Sequence, residues 1–150
     1  MRSRNCGVAE TETQPGSPRG AELLKRAPLK VSRDVVVARQ AVAAELKTRG
    51  VSSIRVTRFA TAVSESARKA IVHGGGGEIA LYLDARKRSL IVECRDRGQG
   101  IEDVEQAMKD GFTSGGGLGK GLGGARRLSD DFEIVTAPGQ GTLVRMSARL

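Results

Sequence analysis

Residues 89–100 read Ser-Leu-Ile-Val-Glu-Cys-Arg-Asp-Arg-Gly-Gln-Gly, an apolar run that passes directly into Asp96 and two glycines. Residues 89–95 have the length and apolar content of a β-strand. Glycine lets the following backbone approach a flat ligand closely. An aspartate at the end of such a strand can accept a hydrogen bond from the exocyclic amine of adenine, which guanine lacks at that position. Asp-x-Gly-x-Gly by itself is also common in ordinary turns after strands.

Two further glycine-rich segments follow along the chain. Residues 115–123 read Gly-Gly-Gly-Leu-Gly-Lys-Gly-Leu-Gly and lead into a predicted helix. Their backbone N–H groups and the positive helix end favour phosphate, although the spacing is not that of a P-loop. Residues 139–142, Gly-Gln-Gly-Thr, would be only a hairpin turn in isolation. Together the three segments predict a nucleotide site, and a glycine-rich surface loop without a ligand is the alternative.

The apolar periodicity predicts a mixed α/β (α+β) chain without strict alternation of strands and helices. This order favours a two-layer sandwich with a mixed, mostly antiparallel sheet that helices cover on one face. The predicted strands are residues 28–31, 78–84, 89–95, 132–136 and 142–148, and the predicted helices are residues 34–48, 53–73, 102–109 and 121–128.

The composition predicts one domain preceded by a tail. Residues 1–27 mix Gly, Pro, Ser and charged residues without periodicity and are predicted to be a disordered basic leader to a domain at residues 28–150. No apolar run approaches the ~20 residues that span a bilayer, and no signal peptide is evident. We therefore expect a cytoplasmic protein without a membrane partner. Cys94 is expected to be a buried, reduced side chain.

The positive charge is spread over the whole chain. The formal net charge is +8, and residues 1–33 and 34–150 contribute +4 each. Only 3% of the residues are aromatic and none is Trp, so the stacking platform that single-stranded nucleic acid requires is missing. Nucleic acid is therefore an unfavoured partner.

Four segments resemble, in order and spacing, the nucleotide boxes of the GHKL ATPase/kinase superfamily. The resemblance is closest to the small anti-sigma-factor serine/threonine kinases, especially the RsbT-type switch kinases of bacterial stress signalling. It extends from about residue 30 to residue 150 and includes residues 34–40 and 108–128. The four segments are residues 65–69, 96–100, 115–123 and 139–142.

The resemblance implies a Bergerat-type fold that holds ATP between helices and a mixed sheet under a mobile lid. Asp96 would recognise adenine, and Gly98 and Gly100 would line its pocket. Glu65 would be the general base that activates a serine of the protein substrate. The other implied ATP-binding residues lie in the lid and in the last turn: Gly117, Leu118, Gly119, Lys120, Gly121, Leu122 and Thr142.

The same resemblance implies partners in bacterial stress or sigma-factor regulation. The substrate would be a STAS-domain antagonist protein. A stressosome-like complex and a downstream phosphatase would be further partners.

The chain departs from the family at Lys69. The family places asparagine four residues after the base, where its side-chain oxygen ligates Mg²⁺, whereas an ammonium group has no lone pair to donate. Residues four apart share a helix face, so a Lys69 ammonium close to Glu65 would keep that carboxylate ionised and make it a weaker base. The alternative is an exposed pair that contributes about 0.3–0.5 kcal/mol.

Three hypotheses follow from this substitution. An active kinase could use Lys69 to neutralise the triphosphate, with Mg²⁺ held by phosphate oxygens and water. A nucleotide-binding pseudokinase could instead act as a partner-binding switch. In the third hypothesis the glycine-rich region is structural and the basic surface binds nucleic acid.

Overall fold

The computed structural model describes residues 7–9, 17–101, 104–108 and 121–150. This described part contains four helices and six strands. The helices are α1 (Ser32–Thr48), α2 (Ser53–Val72), α3 (Val104–Ala107) and α4 (Gly121–Arg127). The strands are β1 (Gly7–Ala9), β2 (Glu22–Leu29), β3 (Gly77–Asp84), β4 (Ser89–Asp96), β5 (Asp131–Thr136) and β6 (Thr142–Arg149).

The strands form one sheet in the order β1-β5-β6-β4-β3-β2. β1 pairs with β5 in parallel, and every other neighbouring pair is antiparallel. α2 packs against α1, α4 and β4. The predicted two-layer fold with a mixed, mostly antiparallel sheet is therefore confirmed.

The hydrophobic core lies between the sheet and the helices. Alternate residues of each strand face this layer because side chains on a strand point to opposite sides in turn. On β4 the core-facing side chains are Leu90, Val92 and Cys94, and Asp96 is the next position in this series. The largest fully buried side chain of α2 is Phe59. No helix in the described ranges is long and apolar enough to cross a membrane.

The N-terminal part of the sheet differs from the sequence prediction. β2 covers Glu22–Leu29 rather than residues 28–31, and β1 lies at Gly7–Ala9. Residues 22–27 therefore lie in the sheet and not in a disordered leader. The prediction missed them because an edge strand is held by main-chain hydrogen bonds and keeps much of its side-chain surface in water, which removes the apolar alternation. The described sheet thus begins before the predicted boundary at residue 28.

α1 begins two residues earlier than predicted. Its N-cap is Val31, and Ser32 is the first helical residue rather than the cap. The carboxylate of Asp34 accepts the backbone N–H groups of Val31 and Lys30 at 3.0 and 2.8 Å, which fixes this helix start. These two hydrogen bonds lower the pKa of Asp34 below its ordinary value.

A row of register partners crosses four strands at one end of the sheet. Gly77 on β3 pairs with Asp96 on β4, which pairs with Thr142 on β6, which in turn pairs with Thr136 on β5. Side chains that are directly opposite on neighbouring strands share a face. The polar members of this row therefore end the core-facing layer beside the C-terminal end of α2.

Candidate nucleotide-binding site

Asp96 is the buried polar centre of this region. It ends β4 and is only 3% exposed. Its Oδ1 atom accepts the backbone N–H of Gly98 at 2.9 Å. This local bond curls the chain after β4 and aims the second carboxylate oxygen at α2. Asp96, which the sequence predicted as the adenine acceptor, therefore has a fixed orientation.

Glycines form a tight shell around Asp96. A Cβ atom at Gly74 would lie 2.3 Å from Cγ of Asp96, and one at Gly141 would lie 2.2 Å from the main-chain oxygen of Asp96. A Cβ at Gly98 would lie 2.8 Å from Cα of Gly74. No real Cβ atom fits at such distances, so the close packing of these three segments around Asp96 requires residues without side chains.

Lys69 reaches this carboxylate from α2. Its Nζ atom donates to Oδ2 of Asp96 at 2.8 Å, and the lysine side chain is 16% exposed. The pair joins the last turn of α2 to the end of β4, 27 residues further along the chain. A charge-assisted bond of this length in a largely water-free position is among the stronger polar contacts of a protein.

Glu65 forms a different ion pair from the one expected. Its Oε2 atom accepts from the guanidinium of Arg68 at 3.2 Å, while Lys69 turns to Asp96. The expected pairing of Lys69 with Glu65 is thus replaced by two pairs in which Arg68 and Lys69 have separate carboxylates. Packing decides this, because it brings the buried Asp96 carboxylate within reach of Lys69. A buried carboxylate attracts an ammonium group more strongly than a partly hydrated carboxylate such as Glu65 does.

Thr142 belongs to a hydroxyl cluster beside Asp96. Its Oγ1 atom lies 3.1 Å from Oγ1 of Thr136, which also donates to the main-chain oxygen of Gly141 at 3.1 Å. The backbone N–H of Ile101 donates to Thr136 Oγ1 at 3.0 Å. The cluster fastens the chain after Gly98 to the turn between β5 and β6, so Thr142 is held next to the proposed adenine pocket.

The predicted phosphate-binding residues lie partly within the described chain. Gly100 has φ +83°, and a Cβ atom there would lie 2.3 Å from the main-chain oxygen of Ala137. Gly121 begins α4, and Leu122 is buried in the core. The remaining predicted positions lie outside the described residues: Gly117, Leu118, Gly119 and Lys120.

The residues present fit adenine but not a metal ion at position 69. Each oxygen of Asp96 accepts one donor from the protein and keeps a second lone pair, so the carboxylate can still accept an exocyclic amine. The Lys69 ammonium has no lone pair for Mg²⁺. Within the described ranges, no cluster of three or more His, Cys, Asp or Glu side chains could hold a metal. Lys69 therefore cannot hold the metal ion that the family resemblance implies at this position.

Cys94 lies on β4 two residues before Asp96, and its burial shows that water is excluded from this part of the core. Burial raises the pKa of its thiol to about 12, Lys69 opposes this shift, and Asp96 and Glu93 add to it. The thiol is free and fully buried, as the sequence predicted. It is therefore a neutral core side chain and not a nucleophile.

Two residues of this region were not predicted from the sequence. Gly74 was interpreted only as the end of α2, although the glycine run at residues 74–77 was a usable signal for close packing. Thr136 was predicted only as the last residue of a strand and not as a site residue. A two-strand hairpin between the predicted strands at residues 132–136 and 142–148 would have placed it opposite Thr142, as the observed register does.

A buried aspartate in a glycine shell thus lies at the end of a central antiparallel strand, beneath a long helix. The family model described as "Histidine kinase-like ATPase domain" matches residues 29–148. The chain belongs to this family, and the predicted GHKL resemblance is confirmed.

Relatives at the sequence level include a serine/threonine-protein kinase and an anti-sigma F factor. The chain is 38% identical over 114 residues to the serine/threonine-protein kinase RsbT of Bacillus subtilis (strain 168), covering 75% of this chain and 86% of that protein. It is 36% identical over 95 residues to the anti-sigma F factor of Thermoanaerobacter sp. (strain X514), covering 58% of this chain and 65% of that protein.

A solved structure shares the fold. The crystal structure of the RsbU and RsbW domains of a Mycobacterium tuberculosis protein superposes with a TM-score of 0.58 and 18% identity. The match covers 85% of this chain and 33% of that chain. At this identity the likeness concerns the fold alone.

Proposed function

We propose that this chain is an ATP-binding serine/threonine kinase of the RsbT type that phosphorylates a serine on a STAS-domain antagonist protein. The observation that carries the proposal is the 2.8 Å contact of Lys69 with Asp96, because Glu65 lies one helical turn before Lys69. The proposed base and the proposed adenine acceptor thus border one region between α2 and the end of β4. The relation to RsbT over most of both chains supports the same class.

Each residue has a defined task in this proposal. Asp96 accepts the adenine amine, and Gly98, Gly100 and Thr142 shape the pocket around it. Gly117, Gly119 and Gly121 are proposed to cradle the phosphates of the nucleotide with Lys120 as a nearby charge, and Leu118 and Leu122 belong to the same ATP-binding segment. ATP, when bound, supplies the phosphoryl group that is transferred.

Glu65 is proposed to accept the proton of the substrate serine. Its carboxylate is largely buried but keeps contact with solvent, and Arg68 orients it from the same helix. Lys69, released from Asp96, would neutralise charge on the triphosphate where the family has a metal ligand. The partner would act in sigma-factor or stress regulation, within a stressosome-like complex or upstream of a phosphatase.

A second candidate is a nucleotide-binding switch without phosphotransfer. The Lys69–Asp96 pair favours it, because an ammonium that stays on the adenine acceptor crowds Oδ2 of Asp96 and leaves only the second lone pair of that oxygen for the adenine amine. In this reading the partner protein is bound and released without chemistry. The two candidates differ in the direction in which Lys69 acts on nucleotide binding.

Calorimetry of ATP binding in Mg²⁺ and in EDTA tests nucleotide binding first. We expect binding in both solutions, with affinities within about threefold of each other, because position 69 offers no metal ligand. The absence of binding in both would overturn both candidates. A loss of more than about tenfold in EDTA would contradict the conclusion that the protein contributes little to metal binding.

The variant Lys69→Asn then separates the candidates, with Arg68→Asn as the matched control on the neighbouring residue. For the kinase, Lys69→Asn weakens ATP binding in EDTA about tenfold, because the triphosphate loses a cation. For the switch, the same variant tightens ATP binding and adds phosphotransfer to a STAS-domain serine that the parent lacks. Transfer of labelled phosphate from γ-labelled ATP measures this step directly.

A further inference from the structure

A second pocket lies at the Asp96 end of the sheet, on the face away from the helices. It has a volume of about 660 Å³. Glu78 and Arg95, which line it, form the register pair next to the Gly77–Asp96 pair. Because successive residues of a strand point to opposite faces, the side chains of Glu78 and Arg95 lie on the face away from the helices. The pocket and the nucleotide site are therefore back to back. The charged side chains that line it are Arg26, Lys30, Glu78, Arg95 and Arg97.

The lining of this pocket carries more positive than negative charge. Of its four cationic side chains, Arg26 is bonded to the one lining carboxylate, Glu78, at 3.0 Å, and Arg95 lies 4.0 Å from Glu93 on its own strand. The Arg26–Glu78 ion pair, with the hydrogen bond that forms it, raises the pKa of Arg26, so the guanidinium stays charged. Arg97 and Lys30 are exposed. A concave surface of one sign concentrates its field and attracts ions of the opposite sign.

The pocket is built from parts that are fixed by the fold. Gly76 and Gly77 form part of its wall, and a Cβ atom at Gly77 would lie 1.8 Å from the main-chain oxygen of Arg95. β3 lies between β2 and β4, so Arg26 on β2 and Arg95 on β4 flank Glu78 on β3, and Arg97 follows directly after Asp96. Because the glycine run at residues 74–77 also packs on Asp96, one loop contributes to both sites.

We propose that this basic pocket, lined by Arg26, Lys30, Arg95 and Arg97, binds an acidic, carboxylate-rich segment of a protein partner. Guanidinium groups match carboxylates with paired hydrogen bonds, and the volume accommodates a few side chains of a peptide. The inference is independent of phosphotransfer, since it concerns a surface on the opposite side of the sheet from Glu65 and Asp96.

The lining argues against nucleic acid as the occupant. The pocket contains no aromatic side chain on which a base could stack. A duplex also needs an extended basic surface, whereas these cations surround one concavity. A short flexible acidic segment needs neither a stacking platform nor an extended surface.

The test uses a fluorescein-labelled hexaglutamate peptide, titrated with the full chain and followed by fluorescence anisotropy. Arg97→Glu reverses one exposed charge at the pocket, and Arg86→Glu makes the same charge change in the β3–β4 turn at the far end of those strands. We expect Arg97→Glu to weaken peptide binding about tenfold and Arg86→Glu to weaken it less than about twofold. Circular dichroism verifies that both variants are folded.

Three results would overturn the proposal. Equal weakening by both variants would mean that only net charge matters. A twelve-nucleotide single strand could bind more tightly than the peptide and lose this binding in Arg97→Glu. That result would assign the pocket to nucleic acid. Displacement of the peptide by ATP at concentrations that saturate calorimetric binding would show that the peptide occupies the nucleotide site. None of these three results bears on whether ATP itself binds.

Discussion

Arg68 and Lys69 are neighbours on α2, and each forms an ion pair with a carboxylate, but the two pairs lie in different surroundings. Arg68 is 44% exposed and pairs with Glu65 within its own helix. Lys69 is mostly buried and pairs with Asp96 on the sheet. The comparison shows that neighbours in sequence with the same charge can have separate roles, one on the helix surface and one between the two layers of the fold.

The energies of these pairs should differ as their environments do. An exposed pair gains little because water solvates both partners and salt screens them. A buried pair contributes little net energy relative to apolar residues, but removing one partner leaves a charge without compensation. Lys69 is therefore expected to matter for stability even where it hinders nucleotide binding.

The largest effect is expected from Lys69→Met compared with Arg68→Met. Lys69→Met leaves the buried Asp96 carboxylate without its cation and should lower the free energy of unfolding by about 3 kcal/mol. Arg68→Met removes a partly solvated contact and should lower it by less than about 1 kcal/mol. Urea denaturation without nucleotide, with linear extrapolation, measures both values.

A second substitution separates charge from packing in this comparison. In Lys69→Met combined with Asp96→Asn, the buried position is neutral and still accepts the N–H of Gly98, so most of the lost stability should return. A Lys69→Met loss below about 1 kcal/mol would mean that water reaches the pair. In 1 M NaCl, only the smaller Arg68→Met effect should shrink further.

The next largest effect is expected from Gly74→Ala, which attacks the buried pair without changing charge. The new methyl group would overlap Cγ of Asp96 and push the carboxylate away from Lys69, lowering the free energy of unfolding by about 2 kcal/mol. Gly75→Ala is the control, because its Cβ meets open space and only its φ of +72° is strained. We expect Gly74→Ala, but not Gly75→Ala, to abolish ATP binding in calorimetry. Equal affinities in the two variants would contradict the proposed role of the glycine shell.

The smallest effect concerns Cys94, which tests whether the region beneath the buried pair is dry. In Cys6→Ser, Cys94 is the single thiol of the chain, and its alkylation by iodoacetamide should be at least about 100-fold slower in the native than in the urea-unfolded protein. Because the pKa of the folded-state thiol is raised, the folded protein keeps this proton to higher pH than the unfolded protein does. The contribution of Cys94 to the free energy of unfolding is therefore fully present below pH 9.0 and is lost as pH rises toward about 12. Rapid native alkylation at pH 8 would show that solvent enters.

Much of the fold could be predicted from the sequence. The apolar periodicity located α1, α2 and the two central hairpins, because helices and half-buried strands impose periods of 3.6 and 2 on their buried residues. β1 and the first part of β2 could not be predicted this way. The side chains of the edge strand β2 are mostly exposed, so its hydrogen bonding leaves little trace in the sequence.

The candidate site was predicted unevenly. The glycine-bounded position of Asp96 was visible in the sequence, and the departure at Lys69 followed from the family resemblance. The partner of Lys69 was not, because helix spacing suggests contacts only with residues three or four positions away, and Glu65 satisfies that spacing. The buried competitor Asp96 enters only once α2 packs on β4.

The sequence by itself therefore determined the class of this protein, since glycines, turns and periodic apolar residues act locally and keep their meaning wherever the segment lies. Only the tertiary structure decided which carboxylate Lys69 binds and where a basic pocket forms. Both depend on residues that are distant in sequence, and their charges interact strongly only after folding has removed the water between them.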